Sequence, residues 1–307
     1  MTLLSEMIDL VVITYNHQDF IDDCLSSIER QTLRPSSITI IDDCSKDRTM
    51  EKITDFANRT ANVNVIKHKK RMGITKTANH ALRTGKNEYI KILCGDDYLS
   101  DCALEVLAVA LKNAPTATFA YSNMAWFYKL PLGFKVSIKH YTFYARPTSS
   151  IQSLIDDNTL PAPTLMIRRS NIKNIWFPEE FSTMSDLIFI LMCLEVGPAI
   201  YVDNVTINYR RHGFNSSSIF TYKDDRILLS SLLKQGKYLK RHYNSAELEN
   251  LIKYSNLLTL IKEKRIRNST LLAIKMTNLS MKSPKWFLRI LFAWFRIAKL
   301  CFMGLFL

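Results

Sequence analysis

An alternation of strand and helix repeated from Ile8 to about Leu99 constrains this chain more than any other feature. Four short runs rich in Val and Ile, at residues 9–14, 37–41, 63–67 and 89–93, read as strands. Between them lie stretches at 19–30, 48–59 and 74–84 whose apolar residues recur at helical spacing. Each stretch is long enough for the crossover that parallel βαβ units require. In the first, Ile21, Cys24, Leu25 and Ile28 share one face and read as core positions. The expectation is an α/β fold with a central, mostly parallel sheet.

A parallel sheet presents ligands at the carboxyl ends of its strands. The residues there are Thr14-Tyr15-Asn16, Asp42-Asp43 and Gly95-Asp96-Asp97, so three strand ends carry polar or acidic groups. The chain has neither GxGxxG nor GxxxxGK[ST] at these points, which argues against a dinucleotide dehydrogenase or a P-loop NTPase. Beyond Leu99 the pattern predicts a helix over 101–113, a β-rich stretch over 116–139, a helix over 149–156, a strand over 164–168, a helix over 184–195 and a strand over 200–209. From Tyr222 onward successive helices are expected.

At 307 residues the chain exceeds what one growing core usually holds, so an appendage or second domain is expected. Charge places the division. The net +13 falls almost wholly after Tyr222, where 17 Lys and Arg face 5 Asp and Glu. The expected domains are 1–218 and a helical, basic region over 219–307. The six cysteines have no CxxC spacing, so no zinc site or disulfide framework is indicated. The first residues reach a strand without a charged leader and apolar run, so the catalytic part is expected to face the cytoplasm.

Leu10-Val-Val-Ile-Thr-Tyr-Asn16, Ile40-Ile-Asp-Asp-Cys-Ser-Lys-Asp47 and Leu93-Cys-Gly-Asp-Asp-Tyr-Leu99, taken in order, resemble the family 2 glycosyltransferases of GT-A fold. The resemblance extends to about Ser218. It implies an inverting transfer of a hexose or N-acetylhexosamine from a nucleoside-diphosphate sugar, a UDP-sugar foremost, to an acceptor hydroxyl. It implies that Thr14, Tyr15, Asn16, Asp43, Arg71 and Asp96 bind the nucleotide, and that Asp96 and Asp97 hold Mn²⁺ or Mg²⁺. Hard carboxylate oxygens suit such cations. Cys94 stands where the family often carries its first acid, so the metal is expected to rest on Asp96 and Asp97 alone.

By themselves, Asp42-Asp43 and Gly95-Asp-Asp also fit turns that cap the helices after them. Lys69, Lys70 and Arg71 precede a helix start at Gly73, where cations and free N–H groups suit phosphate, or simply a solvated basic turn. In Thr183-Met-Ser-Asp-Leu-Ile-Phe189, Asp186 resembles the family's general base, though a first-turn Asp also interacts with a helix dipole. Tyr209-Arg-Arg-His212 resembles a segment in which Arg210, Arg211 and His212 contact the diphosphate.

Near the C-terminus, Lys282, Lys285, Arg289, Arg296 and Lys299 fall on one helical arc of about 100°, and aromatic or aliphatic residues fill the remaining circumference. A helix lying on an anionic membrane is expected, since the longest uncharged run, 300–307, is far below the roughly 20 residues that span a bilayer. The expected setting is peripheral, at the cytoplasmic face of the inner membrane. The expected acceptor is a glycan or lipid-linked glycan of bacterial surface polysaccharide, with no nucleic acid as partner. The rivals are a non-catalytic membrane or nucleic-acid binding protein that keeps the fold, and a nucleotidyltransferase. The second would carry a Gly-rich basic loop after its first strand, which Thr14-Tyr-Asn-His-Gln18 is not.

Overall fold

The computed structural model describes residues 2–130, 137–143, 160–179 and 185–212, all within the first of two units, Met1–Ser218. The expected helix over 149–156 and the whole expected basic tail lie outside the described residues. The elements are α1 (Thr2–Ser5), β1 (Ile8–Thr14), α2 (Ile21–Glu29), β2 (Ser37–Asp42), α3 (Thr49–Arg59), β3 (Val63–Lys67), α4 (Ile74–Arg83) and β4 (Tyr89–Cys94). After them come β5 (Tyr98–Leu99), α5 (Ala103–Asn113), β6 (Phe119–Leu130), β7 (Ser137–Phe143), β8 (Met166–Arg168), α6 (Ser185–Val196) and β9 (Ala199–Arg211).

Strands run β3-β2-β1-β4-β8-β6-β9-β5, with β7 pairing β6 over Met124–Leu130, beyond the residues that pair β8. The first four are parallel, in register Thr14↔Asp42 and Ile13↔Cys94. That register carries the three polar strand ends to one edge. β1 is buried along its whole length because helices cover both of its faces; its one charge, Asp9, is ion-paired with Arg169 at 3.1 Å. Ile8, Leu10 and Val12 meet Ile21, Cys24, Leu25 and Ile28 of α2 and Leu104, Leu107 and Leu111 of α5 in one core. Truncating a fully buried member such as Leu107 to Ala would cost about 2–5 kcal/mol.

Two boundaries differ from the sequence expectation, each for a local reason. The strand expected over 164–168 starts at Met166, because Ala162–Thr164, opened by Pro161 and carrying Pro163, forms a 3₁₀ turn. Proline offers no N–H to a ladder. The strand expected to stop at Tyr209 runs on to Arg211, since β9 pairs in parallel with β6 up to Tyr128↔Arg211. Arg210 and Arg211 therefore belong to a strand, and their side chains leave it on opposite faces. The two-residue β5 pairs Tyr98↔Asn208 and Leu99↔Ile207. That short bridge draws β9 against the Gly95-Asp-Asp turn.

Candidate active site

The first loop, after β1, is joined to the loop after β2 by a set of exchanged bonds. Asn16 takes a left-handed φ of 53°. Its N–H donates to Ser45 Oγ (2.9 Å) and its Oδ1 accepts from Lys46 N–H (2.9 Å). Expected as a nucleotide ligand, Asn16 is placed by the structure as a tie between loops. His17 N–H donates to Thr49 Oγ1 at 2.8 Å, and Gln18 N–H to Asp47 at 3.1 Å. The strand ends are thus fixed before any ligand arrives. Tyr15 lies under the Arg71 guanidinium, whose carbon is 4.2 Å from the ring centroid, a cation–π distance.

Asp43 is 4% exposed, and its N–H donates to the Thr14 carbonyl at 2.8 Å. Its Oδ1 accepts from Met72 N–H (2.7 Å) and His68 Nδ1 (2.8 Å), and its Oδ2 from Gly73 N–H (2.8 Å). Gly73 makes this possible with a φ of +88°, a conformation other residues rarely adopt. Two backbone N–H groups at this helix start, those of Met72 and Gly73, are therefore occupied by a carboxylate. His68 Nε2 lies 2.9 Å from His80 Nδ1, which carries the bonded network from Asp43 into α4. His68 carries no signal in the sequence beyond standing one residue after a strand.

The second Asp pair has a different setting. Gly95 is required there, because a Cβ would lie 2.7 Å from Thr14 Oγ1. Asp97, 2% exposed, accepts Arg210 N–H on Oδ1 at 2.9 Å. Burial first, and the neighbouring Asp96 charge second, push its carboxyl well above the ordinary range. Burial works on Asp96 as well, but a hydrogen bond to His212 (3.2 Å) and the His17 charge outweigh it and hold its carboxyl low. His17 Nδ1 reaches Thr14 Oγ1 (3.1 Å) and its Nε2 lies 3.9 Å from Asp96, so it joins the first strand end to the third.

Cys94 completes this group. Its Sγ and one oxygen each of Asp96 and Asp97 lie within 4.8 Å of one another. The sequence led us to expect the two aspartates alone, and the structure adds the thiol because Cys94 ends β4 on the same side. Two hard carboxylates with a softer sulfur fit a divalent cation, with Mn²⁺ a better match than Mg²⁺. A cation there would also relieve the repulsion between Asp96 and Asp97.

Arg210, expected to contact the diphosphate, is buried. It is 2% exposed, with its guanidinium over Phe20 (5.1 Å) and Phe127 (4.9 Å), and it bonds Asp23 and the Asp96 carbonyl (3.0 Å). It holds the acidic turn from behind. Arg211, on the other face of β9, stacks on Trp126 at 5.1 Å. His212 stacks on Phe20 at 4.6 Å and reaches Asp96, so of the three it stands closest to the acids. Asp186 sits in the first turn of α6, exposed, with Leu187 N–H on its Oδ1 at 2.8 Å. Protein atoms crowd it enough to push its carboxyl up, a direction suited to a proton acceptor, although its open side limits the effect.

Lys91 was missed altogether. It is fully buried in β4, donates to the Pro163 carbonyl, and burial pulls its pKa down to about 7 against the pull of Cys94 and Asp97. The available signal was a cation in the middle of Tyr89-Ile-Lys-Ile-Leu93.

Among solved structures, Staphylococcus aureus TarS 1-349 in complex with UDP-GlcNAc superposes with a TM-score of 0.62 at 19% identity, covering 92% of this chain and 79% of that one. The mannosyltransferase PcManGT of Pyrobaculum calidifontis, in complex with GDP-Man and Mn²⁺, gives 0.58 at 16% identity, covering 95% and 86%. These likenesses establish the GT-A fold. A curated relative, the Escherichia coli UDP-Glc:alpha-D-GlcNAc-diphosphoundecaprenol beta-1,3-glucosyltransferase WfaP, is 25% identical over 235 residues, 76% of this chain and 86% of its own length. Coverage of the curated relatives is uneven, falling to 29% of the length of another. The family model for glycosyl transferase family 2 matches residues 9–176, more than half of the chain. With all three polar strand ends inside that span and the acidic turn at its centre, the chain belongs to glycosyl transferase family 2.

Proposed function

We propose that this glycosyltransferase moves a hexose or N-acetylhexosamine, with inversion, from a UDP-sugar to a hydroxyl of a lipid-linked glycan. The carrying observation is the gathering of Cys94, Asp96 and Asp97 at the same sheet edge as Thr14 and Asp43. Asp43 keeps one acceptor position on Oδ2 after its three bonds, which suits the ring N–H of a uracil-like base. The Arg71–Tyr15 stack lies beside it. Cys94, Asp96 and Asp97 would hold Mn²⁺ or Mg²⁺. A cation bound there offsets the charge that develops on the departing diphosphate. His212 is the protein's own donor near that charge. The acceptor hydroxyl attacks the anomeric carbon as the bond to the diphosphate breaks, and Asp186 takes the hydroxyl proton.

The acceptor class is supported by the relative WfaP, whose acceptor is a diphosphoundecaprenol-linked sugar. It is supported too by the charge of 223–307, which suits an anionic membrane surface and a peripheral, cytoplasmic-face position. Among the described residues no helix is long and apolar enough to cross a membrane. The test is a screen of nucleotide sugars for transfer to undecaprenyl-diphosphate-linked sugars, with and without Mn²⁺, on the intact chain and on Asp186→Asn. The expected result is turnover with a UDP-sugar that falls by about 10² in Asp186→Asn, with donor binding nearly unchanged. Full transfer by Asp186→Asn would remove the residue from the mechanism.

A further inference from the structure

Helix α4 touches both halves of the proposed reaction. At its N-terminus Gly73 donates its N–H to Asp43, and the Gly73 carbonyl accepts from both the N–H (3.0 Å) and the hydroxyl (2.9 Å) of Thr77. The first turn is therefore rigidly joined to the nucleotide side. One face of the same helix then reaches α6 directly at one level and through Phe177 at another. Thr75 Oγ1 lies 3.2 Å from Ser185 Oγ, both residues being buried and Ser185 adjoining Asp186. One turn further on, Asn79, 1% exposed, pairs with the Phe177 backbone like a strand partner. It accepts Phe177 N–H on Oδ1 (2.8 Å) and donates Nδ2–H to the Phe177 carbonyl (2.8 Å) and to Glu179 (3.1 Å). Phe177 in turn stacks on Phe189 of α6 at 4.1 Å, with ring planes 14° apart.

Thr75 and Asn79 are i and i+4 on α4, and Ser185 and Phe189 are i and i+4 on α6, so the two helices are linked at matching levels, directly at the first and through Phe177 at the second. Two pins fix a rotation as well as a distance. The buried Ile188, Phe189, Ile190, Leu191 and Cys193 hold α6 in the core, and the two links to α4 set the register of its first turn, where Asp186 stands. Both pins use polar or stacked contacts of defined geometry, where apolar side chains alone would tolerate sliding.

We infer that α4 is a spacer that sets Asp186 against the donor site, with Thr75, Asn79 and Ser185 as positioning residues for the base. This rests on Asp186 accepting the acceptor's proton. Nothing in the pins touches substrate. Their effect is on the alignment of the proton transfer, where a misplacement of about 1 Å can cost up to 10² in rate.

The experiment measures kcat for transfer and UDP affinity by calorimetry on Ser185→Ala, Thr75→Val, Thr75→Ser and Asp186→Asn, and on Ser185→Ala combined with Asp186→Asn. The expected result is that Ser185→Ala and Thr75→Val each lower kcat about tenfold while UDP affinity stays within about twofold, and that Thr75→Ser, which keeps the hydroxyl, restores most of the rate. In the Asp186→Asn background, Ser185→Ala should cost nothing further, because the aligned group is already gone. Loss of UDP affinity together with kcat, unchanged kcat, or a Ser185→Ala loss that persists in full without Asp186 would each overturn the spacer. An Asp186→Asn enzyme of full activity would instead overturn the base assignment, and the inference with it.

Discussion

The same dipeptide, Asp-Asp, ends β2 and follows β4, and the two copies have opposite surroundings. At Asp42-Asp43 the loops close around the charge. Asp43 collects two backbone N–H groups and an imidazole, and Asp42 accepts Ser45 N–H at 2.9 Å. At Asp96-Asp97 the carboxylates are set against each other, with one backbone N–H on Asp97 and a histidine on Asp96. The first pair draws most of its donors from the protein, with Asp42 Oδ1 buried without a partner among the described residues and one position left on Asp43 Oδ2, whereas the second keeps a concentration of charge that a cation would complete. Position in the topology is shared, and the donors that the neighbouring loops supply decide the role.

The largest effect that would break or sharpen this contrast is expected at Asp97. Asp97→Asn keeps shape but removes a charge from a site proposed to hold a cation, so turnover should fall by about 10³, and Mn²⁺ should no longer strengthen UDP binding. Metal-free UDP affinity should survive. Titration of UDP with and without Mn²⁺ measures this directly, and an Asp97→Asn enzyme that still responds to Mn²⁺ would place the cation elsewhere.

Asp43→Asn should act on the other side of the contrast and more weakly. The amide can accept from one of Met72 N–H and Gly73 N–H, but its NH₂ group then opposes the other donor. Charged hydrogen bonds of this kind are worth about 1.5–3 kcal/mol each. UDP affinity should fall about tenfold or more, with the response to Mn²⁺ kept. Equal losses of metal response in both variants would mean that the two Asp pairs act as one site.

A smaller change is expected from Cys94→Asp. It adds a hard oxygen where a thiol stands, and burial and the acids hold that thiol's pKa well above its usual value. The variant should use Mg²⁺ several-fold better relative to Mn²⁺ than the parent does. An unchanged metal preference would exclude Cys94 from the cluster.

How much of this was legible in the sequence follows the range of the interactions. The strands β1 to β4 and helices α2 to α4 were readable to within about two residues, because periodicity and burial there have the same local cause. The acids at the strand ends were readable from topology alone. The different fates of the Asp pairs were not, since the donors come from Met72, Gly73 and Arg210, which are 29, 30 and 113 residues from their acceptors. The setting of Arg210 was hidden as well, because a sequence shows its charge but not the Phe20 and Phe127 rings beside it. The extension of β9 through Arg211 was hidden for a related reason: its pairing with β6 is non-local.

The faintest expected signal comes from Lys91, beneath the acidic pair. In the unfolded chain its amine keeps a proton up to about pH 10.5, and in the folded chain only up to about 7. Between those values the unfolded state binds more protons, so this group's contribution to stability rises with pH across the window and is lowest, and level, below about 7. The steepest part is on the order of 1 kcal/mol per pH unit. Lys91→Met removes the titrating group while keeping an unbranched chain in the same apolar slot, although the Pro163 carbonyl loses its donor. The absolute stability of the variant therefore reflects both changes, whereas its pH dependence reflects the amine together with the Cys94 thiol and Asp97 carboxyl on which its charge acts. Denaturant unfolding of the parent and of Lys91→Met at several values between pH 7 and 10 should show a shallower rise for the variant. Parallel profiles would mean that Lys91 stays protonated in the fold throughout, held by Asp97, and that the acidic site already contains its own cation.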